Sequence, residues 1–305
     1  MRNAFSEEIY KHIKKNKNIY IVAADISPSG KMAEISRKNS KQIINVGVAE
    51  QVMIGVAAGL SMEKNKVFCY TIAPFSLYRP FEFVRDDLCL QKLPVTIVGM
   101  GAGTIYSELG PTHTAIEDIS IARSLPNLQI IAPSDGLELK EAVKYCLKNN
   151  KNPIYLRIGK SGEKNFTKIA KEKWNFGKIR KITNGKNVCI LTYGPTIKLA
   201  FELRKICKDE IAIYSCHTLE PFDKKKINQI LKRYKKIICM EDHIEIGGLK
   251  SIISDHLIEK KLSKNVYFFH LKKKFLNAYD SQDSFQKKHG LSISNERNKS
   301  SKISS

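Results

Sequence analysis

The chain has 305 residues, of which 42% are hydrophobic, and a formal net charge of +22. This length exceeds the usual size of a single hydrophobic core, so we expect two domains. The longest apolar runs, at residues 52–60 and 188–193, are far too short to cross a bilayer, and the N-terminus lacks the apolar stretch of a signal peptide. Together these features predict a cytoplasmic protein and exclude a membrane-spanning one.

The positive charge comes mainly from lysines that are scattered over the predicted helix faces. Nucleic-acid-binding proteins favour arginine and interleaved aromatic residues on one surface, and the sequence has neither such a stripe nor a zinc-finger spacing. A lysine-rich proteome is the preferred explanation, although an electrostatic benefit for anionic substrates is compatible with it. The seven cysteines include no C-x-x-C pair, which predicts buried free thiols in a reducing compartment.

Short β-branched apolar runs alternate with amphipathic helical patterns along the first half of the chain. The predicted strands are residues 19–23, 42–45, 67–72, 95–99, 129–132 and 154–157, and the predicted helices are 4–15, 49–62, 78–88, 115–124 and 136–148. This alternation predicts a parallel sheet with helices on both faces. Ser134 or Asp135 is expected to cap the last of these helices.

The pattern breaks after Arg157, where a polar, lysine-rich segment contains the single tryptophan. A second series then follows, with strands at 188–193, 211–214, 237–240 and 266–270, and helices at 197–207, 224–234 and 248–259. We therefore predict an α/β fold with a first domain at residues 1–160, a linker at 161–187 and a smaller second domain at 188–292. The Ser/Lys-rich tail, 293–305, is predicted to be disordered.

Glu50 stands at the start of a predicted helix that is apolar and rich in small residues on nearly every side. A carboxylate is costly to bury in such a place unless a basic group meets it. A buried acid of this kind is typical of a site that handles protons on a bound heterocycle. The alternative is an ordinary acid favoured by the helix dipole.

Taken in order, several motifs make the chain resemble the C-terminal half of transketolases, and above all the separate C-terminal subunit of split, two-gene bacterial transketolases. The resemblance extends from Arg2 to about Ser292. The first domain contributes Ala24-Asp25-Ile26-Ser27-Pro28-Ser29, Gly47-Val48-Ala49-Glu50-Gln51, Thr71-Ile72-Ala73-Pro74-Phe75, Gly110-Pro111-Thr112-His113 and Tyr155-Leu156-Arg157. The second domain contributes Leu219-Glu220-Pro221-Phe222-Asp223 and Glu241-Asp242-His243-Ile244-Glu245-Ile246-Gly247-Gly248. The first domain would then be a pyrimidine-binding domain and the second a transketolase C-terminal domain.

The resemblance implies thiamine diphosphate as the cofactor. Glu50 matches the family's carboxylate that hydrogen-bonds N1′ of the aminopyrimidine and so promotes loss of the proton on thiazolium C2. Phe75 matches the aromatic residue that stacks on this ring, and Tyr78 is its neighbour one helical turn on. Asp25 and Ile26 match cofactor-binding positions of the family, which lie where the cofactor meets the subunit boundary. Without the resemblance, Phe75 and Tyr78 would be core residues at i, i+3 spacing.

The resemblance also implies substrate-binding residues. His113, in a predicted loop, matches the histidine that contacts the substrate hydroxyls and helps to move protons; a structural histidine is the alternative. Arg2, Ser29 and Arg157 match positions that bind the sugar phosphate, for which guanidinium groups are well suited. The alternatives are a frayed terminus for Arg2 and a salt bridge at a strand end for Arg157.

Two departures from the family pattern carry expectations of their own. The Gly-Asp-Gly…Asn signature that holds the diphosphate through Mg²⁺ (or Ca²⁺) is absent from the sequence, which predicts a partner subunit carrying that domain, in an α2β2 assembly. Leu109 replaces an aspartate that reads a sugar hydroxyl, and Gly101 lies where a phosphate-binding histidine is expected. A specialised sugar substrate is therefore a hypothesis beside the standard pentose phosphates.

The sequence thus predicts a transketolase-like subunit that transfers a two-carbon ketol unit from a ketose or ketose phosphate to an aldose acceptor. Deoxyxylulose-phosphate synthases and the beta subunits of 2-oxo acid dehydrogenases are alternatives with the same cofactor. A non-catalytic regulatory subunit is an alternative from a different class, and a nucleic-acid-binding role is the weakest. The Glu241-Asp242-His243 cluster is interpreted as structural and is left out of the active site.

Overall fold

The apolar runs of the first half form a sheet whose central strands are buried on both faces. The computed structural model describes residues 1–25, 31–207, 210–275 and 279–292. All six predicted strands of the first domain are confirmed and run parallel, in the spatial order β5-β6-β4-β3-β1-β2. They are β1 (Ile19–Ala23), β2 (Ile43–Asn45), β3 (Lys66–Ile72), β4 (Thr96–Met100), β5 (Gln129–Ile131) and β6 (Ile154–Ile158).

Helices cover both faces of this sheet, as the alternating pattern predicts. They are α1 (Arg2–Ile13), α2 (Lys31–Lys38), α3 (Glu50–Met62), α4 (Ala73–Leu77), α5 (Phe81–Phe83), α6 (Asp118–Arg123) and α7 (Gly136–Lys148). Apolar side chains of α1 and α7 share one core with the sheet, and those of α3 share the other. The carboxylate of Asp135, rather than Ser134, caps α7 by accepting bonds from Leu137 N–H and Glu138 N–H.

Two helical segments differ from the prediction. Helix α2 is absent from the predicted elements, because its sequence is mostly polar and charged. The helix predicted at 78–88 begins later than expected. Residues 78–80 form a turn after α4 that ends at Pro80, and the short α5 then continues as a π-helix over Val84–Leu90. Proline removes a backbone donor and so interrupts the regular helical hydrogen bonding at this point.

The second half forms a smaller sheet of five strands in the order β12-β11-β8-β9-β7. The strands that follow β6 are β7 (Arg180–Thr183), β8 (Val188–Thr192), β9 (Ile211–Ser215), β10 (Thr218–Glu220), β11 (Lys236–Ile244) and β12 (Asn265–Leu271). The helices are α8 (Ile197–Ile206), α9 (Lys224–Arg233), α10 (Leu249–Glu259) and α11 (Gln282–Lys288). Strand β7 lies in the segment predicted as a linker and pairs antiparallel with β9, so part of that segment belongs to the second sheet.

Strand β10 does not join the second sheet. It pairs antiparallel with β5 at the edge of the first sheet, and the amide of Ala132 donates to the carbonyl of His217 just before it. One hydrophobic core also extends from the first domain into the second, where it includes Leu191, Tyr214 and Leu219. The two halves of the chain are therefore joined by backbone pairing as well as by packing. The predicted tail lies outside the described residues.

His217 is fully buried at this junction. Its ring stacks on Trp174 at 4.8 Å between centroids, and Nδ1 lies 3.1 Å from Oγ1 of Thr218. Burial, with a smaller effect of nearby Arg180, lowers the pKa of His217 from 6.5 to about 3. The imidazole therefore stays neutral in the folded protein at pH values where the unfolded chain takes up a proton.

This difference predicts a loss of stability on acidification that His217→Gln should remove. A depressed folded-state pKa means that the contribution is present above pH 6.5 and is lost as the pH falls toward 3. Between pH 7 and pH 5 we expect the free energy of unfolding of the wild type to fall by about 2 kcal/mol more than that of the variant. Urea unfolding of both proteins at pH 5, 6 and 7 measures this, and parallel pH profiles would contradict it.

The seven cysteines are free thiols, as predicted; six are buried and Cys207 is partly exposed. Burial raises the pKa of the Cys146 thiol to about 12. Within the described ranges, no helix has both the length and the apolar character needed to cross a membrane.

Candidate functional site

Glu50 is the first residue of α3, directly after the turn that follows β2, and is only 3% exposed. The sequence predicts that a basic group should meet a carboxylate buried in this way, and the structure supplies one. A guanidinium nitrogen, Nη1 of Arg79, donates to Oε1 of Glu50 at 2.9 Å. The ion pair is asymmetric, because the Arg79 side chain is 44% exposed and that of Glu50 only 4%.

Phe75 lies in α4, which begins where β3 ends. The guanidinium carbon of Arg79 lies 4.2 Å from the centroid of the Phe75 ring. The ring of His113 meets Phe75 edge-on, with 5.2 Å between centroids. Three segments that are distant in sequence thus bring Glu50, Phe75 and His113 into one cluster, with Arg79 between the first two.

Arg79 is the residue of this cluster that the sequence motifs do not single out. Its signal in the sequence is weak, since it is one arginine in a turn after the aromatic pair. What could have found it is the requirement for a basic partner to Glu50, because Arg79 is the first basic residue after Phe75.

His113 ends a short 3₁₀ turn, Pro111–His113, which follows Gly110. Gly110 has a φ of +82°, a left-handed conformation that favours glycine. The loop is closed at its base by antiparallel pairing of Gly103 with Ala115. The Oγ1 atom of Thr112 lies 3.0 Å from Nδ1 of His113, so Nε2 is the nitrogen left for another partner.

Tyr78 contacts the segment that follows this loop. Its hydroxyl donates to Oε2 of Glu117 at 3.1 Å and accepts the amide N–H of the same residue at 3.3 Å. Burial raises the pKa of Tyr78 far above its usual range, so the phenol is a neutral donor. Burial also raises the pKa of Glu117. These bonds tie Tyr78 to the segment between the His113 loop and α6. The predicted contact of Tyr78 with a cofactor stays a prediction.

Arg157 occupies a position that differs from the predicted phosphate site. It is 3% exposed, and its Nε donates to Oδ2 of Asp118 at 2.8 Å. Its Nη2 donates to the carbonyl of Asp242 in the second domain at 3.0 Å. The structure thus agrees with the alternative of a salt bridge at a strand end, here within the first domain, while the hydrogen bond to the Asp242 carbonyl links the two domains. Phosphate binding by Arg157 stays a prediction; in this structure its Nε and Nη2 donors already have partners.

In the Glu241-Asp242-His243 cluster, Asp242 and His243 contact the first domain, whereas the bonds of Glu241 lie within the second. Glu241 accepts bonds from the hydroxyl of Tyr193 and from the amides that begin α10, and burial raises its pKa to about 7. Asp242 accepts bonds from the amide and hydroxyl of Thr104. Burial lowers the pKa of His243 to about 4. Glu241, Asp242 and His243 thus have different partners. Within the described residues, no three His, Cys, Asp or Glu side chains form a group that could bind a metal ion.

The remaining predicted residues lie near the carboxyl ends of the strands or outside the described ranges. Asp25 follows β1, is exposed and has a φ of +42°. Arg2 begins α1, with its amide bonded to the carbonyl of Lys160 just beyond β6; its Nε is buried without a partner among the described residues. Leu109, beside the His113 loop, is 49% exposed. Ile26 and Ser29 lie outside the described residues.

The fold and this cluster define an α/β protein of two domains with a candidate site at the carboxyl edge of the first sheet. The chain matches the family model for the transketolase pyrimidine binding domain over residues 1–162 and that for the transketolase C-terminal domain over residues 177–292. It therefore belongs to the transketolase family.

Two kinds of relative are similar to this chain: proteins that it covers over most of their length, and longer proteins that it covers over less than half. A protein of Methanocaldococcus jannaschii described as a transketolase C-terminal section is 30% identical over 87% of this chain and 84% of its own length. A subunit of the apulose-4-phosphate transketolase of Phocaeicola vulgatus is 26% identical over 85% of this chain and 83% of its own length. A 1-deoxy-D-xylulose-5-phosphate synthase of Clostridium acetobutylicum is 31% identical over 90% of this chain but only 44% of its own length.

Solved structures agree with this grouping. A split gene transketolase described as an inactive beta4 tetramer has a TM-score of 0.83 and 28% identity, covering 96% of this chain and 94% of its own. The transketolase of Campylobacter jejuni has a TM-score of 0.80 at 20% identity over 97% of this chain and 45% of its own, a likeness of fold alone. The chain thus matches the split transketolase structure over nearly its whole length.

Proposed function

We propose that this chain is the pyrimidine-binding subunit of a thiamine-diphosphate-dependent transketolase that transfers a two-carbon ketol unit between sugars. The observation that carries the proposal is the cluster of Glu50, Phe75 and His113 at the carboxyl edge of the first sheet. The same cluster already holds a flat group with N–H donors, the Arg79 guanidinium, against both Glu50 and Phe75. An aminopyrimidine is also flat and also carries N–H donors, so these residues fit the group that the family implies.

The residues would divide the work as follows. Glu50 would hold the aminopyrimidine and control its protonation, and Phe75 would provide its stacking surface. Bound thiamine diphosphate would supply the nucleophilic carbon that attacks the ketose carbonyl and carries the two-carbon unit to an aldose. His113, held by its loop beside Phe75, would bind substrate hydroxyls and transfer a proton through Nε2.

A separate partner chain is part of the proposal. It would carry the diphosphate-binding domain and most of the ligands to Mg²⁺ or Ca²⁺, and the two chains would form an α2β2 assembly. The relatives of similar length, one described as a subunit of its transketolase and the other as a C-terminal section, support a two-chain enzyme.

One face of α3, next to Glu50, supports the proposal that the partner subunit docks there. Val52 and Met62 are more than half exposed on it, and Gly55 and Gly59 between them have no atom near the position of an added side chain. An apolar helix face without side chains at its centre lets another backbone approach closely. We propose that the partner covers this face and thereby completes the site.

Deoxyxylulose-phosphate synthase remains the second candidate, because identity to that relative is as high as to the transketolase sections. Length favours the split transketolases, which this chain matches over most of their length. The beta subunits of 2-oxo acid dehydrogenases stay a further alternative. A 2-oxo acid as the preferred donor, with release of carbon dioxide, would favour either alternative over ketol transfer.

The proposed function is tested by calorimetric titration of thiamine diphosphate with Mg²⁺. The titrant is added to this chain alone, to the diphosphate-domain subunit of the same organism alone, and to their mixture. We expect saturable binding with a stoichiometry of one cofactor per pair of chains only in the mixture, because each chain would provide half of the site. No binding to the mixture would contradict the proposal and would favour a non-catalytic regulatory subunit.

A further inference from the structure

Arg79 makes both of the contacts that a bound aminopyrimidine would need. Its guanidinium donates to Glu50 Oε1 at 2.9 Å, and the same planar group lies 4.2 Å from the centroid of the Phe75 ring. Guanidinium groups stack on aromatic faces and bind carboxylates through N–H donors, as a protonated heterocycle does. The Arg79 guanidinium and a bound aminopyrimidine would therefore compete for the same position beside Glu50 and Phe75.

The burial of the pair shows which partner can move. Glu50 opens α3 with its side chain 4% exposed, so it is fixed by the helix that carries it. Arg79 lies in the turn after α4, with its side chain 44% exposed, and can turn into solvent without leaving an unsatisfied donor. Displacement of Arg79 would leave Glu50 buried and free to accept a new donor.

We propose that Arg79 is a placeholder that closes the pyrimidine site until the cofactor displaces it. The inference rests on the proposed function and adds a residue that sets the affinity of the site. In the chain without cofactor, the guanidinium neutralises the Glu50 carboxylate and covers Phe75. Cofactor binding then requires loss of this ion pair, so the observed affinity is lower than the intrinsic one by the fraction of chains in which the site is open.

A simpler interpretation treats Arg79 as an ordinary surface ion pair. Exposed pairs contribute little, and their removal has small effects on anything bound nearby. The interpretations differ in the effect of Arg79 on cofactor binding: a placeholder weakens it, an ordinary surface pair leaves it unchanged, and a residue that helps to hold the cofactor strengthens it.

The test is calorimetric titration of thiamine diphosphate with Mg²⁺ into the assembled two-subunit complex. Arg79→Ala should bind the cofactor roughly tenfold more tightly than the wild type, since the site is then always open. Arg79→Lys should lie between the two, because an ammonium keeps the charge but loses the planar stacking. Arg85→Ala is the matched control, since Arg85 is 62% exposed, pairs with Asp86 and lies a few residues further on. This variant should bind like the wild type.

The outcomes separate the inference from the proposed function. Tighter binding by Arg79→Ala, with Arg85→Ala unchanged, supports the placeholder. If the wild type binds the cofactor and Arg79→Ala binds it equally well or more weakly, the placeholder is overturned, but the proposed function is not. Absence of binding in the wild type and in both Arg79 variants overturns the proposed function and the placeholder with it. If Arg79→Ala fails to assemble, the comparison of Arg79→Lys with the wild type decides, with unchanged or weaker binding again overturning the inference.

Discussion

Glu50→Gln is expected to lower turnover of the assembled enzyme at least about a hundredfold, because groups that control proton transfer commonly contribute that much or more. Glutamine keeps the size of the side chain and can still hydrogen-bond, but it cannot carry the negative charge that would control the protonation of an aminopyrimidine. The substrates need not be known for a first measurement. Exchange of the C2 proton of bound thiamine diphosphate with deuterium, followed by acid quench and NMR, should slow to a similar extent.

The control for this experiment comes from the other end of the same helix. Glu63 follows α3 and is exposed, so Glu63→Gln should leave both exchange and turnover unchanged. Both variants should assemble with the partner like the wild type, which size-exclusion chromatography checks. If Glu50→Gln, or the more drastic Glu50→Ala, exchanged the C2 proton at the wild-type rate in an assembled and loaded complex, the assignment of Glu50 would be wrong.

Asp118→Asn is expected to destabilise the protein by about 3 to 5 kcal/mol, the usual cost of removing one partner of a buried ion pair. Asp118 is fully buried, and its Oδ2 accepts from both Arg157 Nε and the hydroxyl of Tyr155, each at 2.8 Å. Asparagine would leave the buried Arg157 guanidinium without its ion-pair partner. Denaturant unfolding at neutral pH measures the change in free energy.

An exposed ion pair provides the comparison. Glu141 and Lys144 on α7 pair with both side chains nearly half exposed, so Glu141→Gln should cost less than about 1 kcal/mol. A similar loss of stability in the two variants would show that the Asp118–Arg157 pair contributes no more than an exposed ion pair does. A large loss restricted to Asp118→Asn would show that Arg157 stabilises the fold at this strand end through its ion pair with Asp118.

Much of the fold follows from local patterns in the sequence. Strand β1 and helix α7 have the predicted boundaries because their apolar periodicity is strong and their ends carry clear signals, such as Asp135 before α7. The elements absent from the prediction lack such patterns. Helix α2 is mostly polar, and β7 and β10 are short edge strands that form because a neighbouring strand offers an unpaired backbone, which no local pattern encodes.

The candidate site is predictable where chemistry and the family resemblance agree. The sequence marks Glu50 as a buried acid that needs a basic partner, and the structure buries it beside one. The identity of that partner, Arg79, depends on how the turn after α4 folds back over α3, and periodicity carries no such information. The observed partners of Arg157 illustrate what the sequence does not reveal, because the Asp118 carboxylate and the Asp242 carbonyl come from segments far away in the sequence.

Strand β10 has a consequence for the order in which the protein can fold during synthesis. Its three residues, Thr218–Glu220, supply the outermost strand of a sheet whose other strands are all complete by Ile158. A nascent chain that has emerged only to the end of β6 therefore presents β5 as an open edge, with backbone groups ready to pair with any other extended chain. Closing this edge depends on a pairing between distant segments, which is slow compared with local folding. The emerging polypeptide thus passes through an interval of exposure to aggregation, which ends only when residues 218–220 leave the ribosome.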